Sequence, residues 1–65
     1  MSESRKHLLL KIAKDNNMIV DTKQYGNFFQ LLVYSPEYKA WYTVPEKFTT
    51  FVDLLNYVVT FNNNN

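Results

Sequence analysis

No cysteine occurs among the 65 residues, and the chain holds one histidine, one glycine and two prolines. Without thiols there is neither a disulfide framework nor a thiolate metal site, so apolar packing, within the chain or against another, has to hold the fold. His7 alone cannot supply a His/Cys zinc set. As the only base for Ser-His-Asp chemistry it would stand beside Lys11, whose charge opposes the imidazolium such a base must reach. Gly26, the single glycine, cannot build the phosphate-cradling loops of the usual nucleotide folds. Asp21 and Lys23 have no second carboxylate at the spacing a metal-dependent nuclease needs, and they read better as charges guarding an edge strand. No acid, base and nucleophile set emerges, and the expectation is a protein without catalytic activity, cofactor or small-molecule substrate.

Long apolar runs are also missing. None approaches the roughly 18 residues of a membrane-spanning helix, and Lys11 cuts the Leu8-Leu9-Leu10 run before it could form a signal-peptide core. The expected setting is therefore soluble and cytoplasmic, with no membrane partner. Net charge is only +1, but it is unevenly placed. Arg5, Lys6, Lys11 and Lys14 against Glu3 give residues 1–14 a charge of +3, and three lysines against five carboxylates give the remainder −2. Only the first segment offers an electrostatic footprint for a polyanion.

What the chain does have is apolar and aromatic side chains, 46% and 17% of its residues. That is too apolar and too weakly charged for a disordered chain. One small domain over residues 1–61 is expected, followed by a disordered asparagine tail over 62–65. Residues 4–15 fit an amphipathic helix, with Ser4, His7, Lys11, Lys14 and Asp15 in a polar stripe and Leu8, Leu9, Ile12 and Ala13 opposite. Ser2 or Ser4 can cap its start, and Asp15-Asn16-Asn17 can stop it, because asparagine tolerates the left-handed conformation. The rival reading is a hairpin with strands 7–13 and 18–23. Met18-Ile19-Val20 opens a strand over 18–23, ended by the turn residues Gly26-Asn27. Residues 28–34 and 39–44 form a β-hairpin around Ser35-Pro36-Glu37, Pro45 ends its second strand, and Thr49 or Thr50 caps a second helix running to Phe61. The fold class is α+β: helix, three antiparallel strands, helix, with both helices on one face of the sheet.

Hairpin register decides which side chains share a face. With Ser35–Tyr38 as the loop and Tyr34 opposite Lys39, one face carries Phe29, Leu31, Val33, Ala40, Tyr42 and Val44 and reads as core. The other carries Phe28, Gln30, Leu32, Tyr34, Lys39, Trp41 and Thr43, the mixed composition of a surface that meets both water and a partner. A bulge at Tyr38 would shift the pairing by one and move Trp41 to the core side. The second helix carries apolar residues around most of its circumference, more than one sheet face can bury.

These patterns point to a small protein-binding module that docks its aromatic sheet face, or its second helix, on another protein or on a second copy as a homo-oligomer. Trp41 and Tyr34 are the expected anchors, Phe28 and Leu32 flank them, and Lys39 stands at the rim. Accessory and inhibitory proteins, including viral ones, share this look by association alone. The alternative is RNA or single-stranded DNA binding by Arg5, Lys6, Lys11 and Lys14 with stacking on the sheet aromatics. The order of elements is similar to that of double-stranded RNA-binding domains. The approach to the second helix, Glu46-Lys47-Phe48-Thr49-Thr50, departs from them in lacking the lysine pair those domains present to phosphate.

Overall fold

The computed structural model describes residues 3–61, so the asparagine tail and Ser2 lie outside the described residues. The elements are α1 (Glu3–Asp15), β1 (Val20–Tyr25), β2 (Phe28–Ser35), β3 (Ala40–Thr43) and α2 (Phe51–Phe61). The strands form one antiparallel sheet in the order β1-β2-β3. The fold class read from the sequence is the one observed, and residues 7–13 are helical rather than a strand.

Helix α1 ends in a Schellman motif. Asn17 takes a left-handed φ of 59°, its N–H donates to the Lys14 carbonyl at 3.0 Å, and the Met18 N–H donates to Ala13 at 2.8 Å. Met18 and Ala13 are both buried, which supplies the apolar contact that accompanies this cap. Helix α2 starts where the Thr50 hydroxyl oxygen accepts the Asp53 N–H at 3.1 Å. Between β1 and β2 the two-residue turn has positive φ at Gly26 alone (54°), the pattern of a type II′ hairpin, which suits the twist of the flanking strands.

The β2–β3 register differs from the expected one by two residues. Tyr34 lies opposite Trp41 and Ser35 opposite Ala40, with Pro36–Lys39 as the loop. Lys39 is therefore not in the sheet; it closes the loop in the left-handed region at φ 52°, while the Tyr38 N–H reaches the Ser35 hydroxyl at 3.4 Å. Side chains alternate with a period of two, so a slip of two leaves both face sets intact except for Lys39, whereas a slip of one would have exchanged them. Trp41 stays on the side away from Leu31 and Val33.

Past β3 the ladder is interrupted and resumed. The Val44 N–H donates to Leu31, and Phe48 then exchanges both backbone hydrogen bonds with Phe29, at 2.7 and 3.0 Å. Two residues of β2 are thus matched by four on the other side, and Pro45–Lys47 bulge outward. Pro45 ends β3 as expected, but the chain rejoins the sheet at Phe48 instead of leaving for the helix.

Among the described residues, ten buried apolar ones form the core: Leu9 and Ala13 from α1, Met18 and Val20, Leu31 and Val33 from β2, Val44 and Phe48, and Leu54 and Val58 from α2. The sheet members all belong to one face, the side on which both helices lie. Leu8, expected in the apolar stripe of α1, is 45% exposed. The stripe that turns inward is Leu9, Ile12 and Ala13, because α1 also leans on α2 and is rotated accordingly. Strand β3 contributes no buried residue.

Candidate interaction surface

The helix-free face of the sheet is set out in cross-strand rows. At one end the Tyr34 N–H donates to the Ile19 carbonyl at 2.8 Å while Tyr34 faces Trp41 across the hairpin, so Ile19, Tyr34 and Trp41 line up. The next row is Asp21, Leu32 and Thr43, then Lys23 and Gln30, then Tyr25 and Phe28 beside the Gly26 turn. The Tyr34 and Trp41 rings meet edge to face with centroids 5.4 Å apart, and those of Tyr25 and Phe28 stack at 5.7 Å. Lys47, carried out by the bulge, places its ammonium 5.0 Å from the Phe28 ring centroid.

Four of the five residues expected at the site, Trp41, Tyr34, Phe28 and Leu32, thus share this face, and the fifth, Lys39, lies beyond it in the hairpin loop. Trp41 is 49% exposed and Ile19 57%, while Phe28, Leu32 and Tyr34 are half-buried. Sequence reasoning missed Ile19, Tyr25 and Lys47. Ile19 alternates with Met18 and Val20, both buried, and that alternation was its signal. Tyr25 reaches the face by the alternation of β1, and Lys47 only through the bulge.

The basic residues of α1 are arranged differently. Arg5, Lys6, Lys11 and Lys14 are all exposed, yet Arg5 lies over the Phe51 ring at 5.7 Å and Lys6 pairs with Asp21 at 3.5 Å. The helices pack on the other face of the sheet; Lys6 reaches round to the helix-free face only at its β1 edge, through Asp21, while Arg5 lies against α2. On the outer side of α2, Val52 is 63% exposed and Val59 40%. An open cleft of about 360 Å³ lies between Glu46–Phe48 and α2, lined also by Asp53, Asn56, Tyr57 and Thr60. Burial, then Glu46 and Tyr42 nearby, raises the Tyr57 phenol above the ordinary tyrosine value. Among the described residues no group of three or more His, Cys, Asp or Glu side chains could hold a metal ion, and no helix is long and apolar enough to cross a membrane.

No family model, curated protein or solved structure matches this chain.

Proposed function

We propose that the chain is a non-catalytic protein-binding module that docks the helix-free face of its sheet on another protein. One observation carries this reading: Trp41, Tyr34, Leu32 and Ile19 stand side by side on a face that no element among the described residues covers. Contiguous apolar area of this kind is uncommon on monomers and marks interaction sites. Trp41 and Tyr34 bring large contact area at low entropic cost, and their edge-to-face packing fixes them before a partner arrives.

Charge on the aromatic face is mixed, Lys23 and Lys47 with Asp21 among them, rather than the continuous cationic groove that single-stranded nucleic-acid binding needs, and this favours protein docking over it. The two are told apart by binding measurements on Trp41→Ala, Leu32→Ser and the α2 control Val52→Ser. For protein docking, the first two lose partner binding at least tenfold with the fold retained, and Val52→Ser does not. Steeply salt-dependent binding of a single-stranded RNA oligonucleotide, weakened by neutralising Lys11 and Lys14, would replace the protein reading with the nucleic-acid one. Unfolding of Trp41→Ala would place that ring in the core and remove the face assignment.

A further inference from the structure

The two edges of the sheet are treated differently. Along β2 the hydrogen bonds alternate: Tyr34 donates toward β1, while Phe29 and Leu31 bond toward the β3 side. Even-numbered residues of β2 thus pair with odd-numbered residues of β1, which leaves the backbone groups of Val20, Thr22 and Gln24 on the outer edge. One of its outward N–H groups is taken up within the chain. The Thr22 N–H donates to the Asp21 carboxylate at 2.8 Å, and the same carboxylate is tied to Lys6 of α1 at 3.5 Å. By the same alternation Ala40, Tyr42 and Val44 bond toward β2, and the N–H and C=O groups of Trp41 and Thr43 point outward from β3. All four residues of β3 are exposed, and none is charged or a proline; the strand is short, and the devices that blunt a free edge, Pro45 and the outward bulge, come only after Thr43.

We infer that the open β3 edge pairs antiparallel with β3 of a second copy of this chain, joining two three-stranded sheets into one of six strands. The register follows from the same groups. In an antiparallel ladder each residue in a hydrogen-bonded pair exchanges both its bonds with one partner. Placing Trp41 opposite Thr43 of the second copy, and Thr43 opposite its Trp41, satisfies every outward N–H and C=O of both strands with four hydrogen bonds. Shifting so that Trp41 faces itself would draw on the left-handed Lys39, and shifting so that Thr43 faces itself would draw on Pro45, which has no N–H. The remaining register is self-complementary about a two-fold axis at Tyr42, as a closed dimer requires, and opposes no like charges. Tyr42, 44% exposed, then meets its own copy in a close, non-hydrogen-bonded pair. The two helix-free faces become one continuous surface. Pairing through β3 uses backbone groups and does not depend on what that surface docks.

Light scattering against concentration is the first measurement. The 7.8 kDa chain is expected to double in mass with rising concentration, and Thr43→Pro, which removes an outward N–H that β2 does not use, is expected to stay monomeric with an unchanged circular dichroism spectrum. Tyr42→Cys, in a chain with no other cysteine, is expected to form a disulfide-linked dimer under mild oxidation, while Ala40→Cys, which faces Val44 of the second copy, stays unlinked. The cysteine pair decides the matter if Thr43→Pro fails to fold. A wild-type chain that stays at monomer mass to millimolar concentration, a folded Thr43→Pro that still dimerises, or Ala40→Cys linking as readily as Tyr42→Cys would each overturn the pairing. A monomer that still binds protein through Trp41 would do so while leaving the docking face intact.

Discussion

Lys39 and Tyr57 show how single residues carry costs that pattern alone does not display. A left-handed conformation costs an ordinary residue about 1–2 kcal/mol, and Lys39 is held there by the four-residue loop that the Tyr34–Trp41 register requires. Lys39→Gly is expected to raise unfolding stability by up to about 1 kcal/mol, and Lys39→Val to lower it by about 1–2 kcal/mol, read from urea midpoints at constant slope. Tyr57 carries a pH dependence. Its phenol is raised in the folded chain, by burial and then by Glu46 and Tyr42, so on raising the pH the unfolded chain loses this proton first. The folded state then binds more protons than the unfolded one, and stability falls with pH. This contribution is level below about pH 10, the ordinary tyrosine value, and declines as pH rises from there through the raised folded value. Tyr57→Phe is expected to flatten that alkaline decline in thermal melts while keeping the ring contacts with Phe48 and Phe61.

Among the elements, α2 depends on its cap. Four N–H groups at a helix start lack partners, and the Thr50 hydroxyl takes that of Asp53, whose own carboxylate favours the positive end of the helix. Thr50→Ala is expected to cost about 1 kcal/mol, with Thr50→Ser restoring most of it, measured by chemical denaturation. The caps were legible in the sequence, because Asn17 and Thr50 are residue types with a local mechanism. So were the two faces of the hairpin, since alternation between Phe28 and Tyr34 assigns side chains by parity, but Ala40 and Tyr42, expected in the core, are exposed. The register was not, because a two-residue slip keeps parity and changes only the loop length. The re-entry at Phe48 was hidden too: Pro45 announces the end of a strand, but nothing local tells that the chain resumes pairing with Phe29 three residues later. Leu8 against Ile12 was a matter of a helix rotated by its neighbour, which a wheel drawn for α1 alone does not contain.

At the scale of the whole molecule, ten core residues sustain a chain whose total stability is on the order of 3–10 kcal/mol. Truncating a fully buried member costs about 2–5 kcal/mol, so Leu31→Ala or Leu54→Ala is expected to leave a largely unfolded chain at 37 °C by circular dichroism, whereas Val52→Ala on the outer side of α2 is expected to melt within a few degrees of the parent. The core is asymmetric: β2 is its floor, the helices its roof, and β3 hangs from β2 without a buried side chain. Phe48 spans that asymmetry. Its backbone is the last rung beside Phe29, and its ring rests edge-on against Tyr57 in α2. Sheet and second helix are consequently fastened by one and the same residue, so neither can fray there alone. Amide protons of Phe29 and Phe48 should exchange with solvent at the pace of the α2 interior, as a single opening unit, while the tip of the β2–β3 hairpin exchanges long before them.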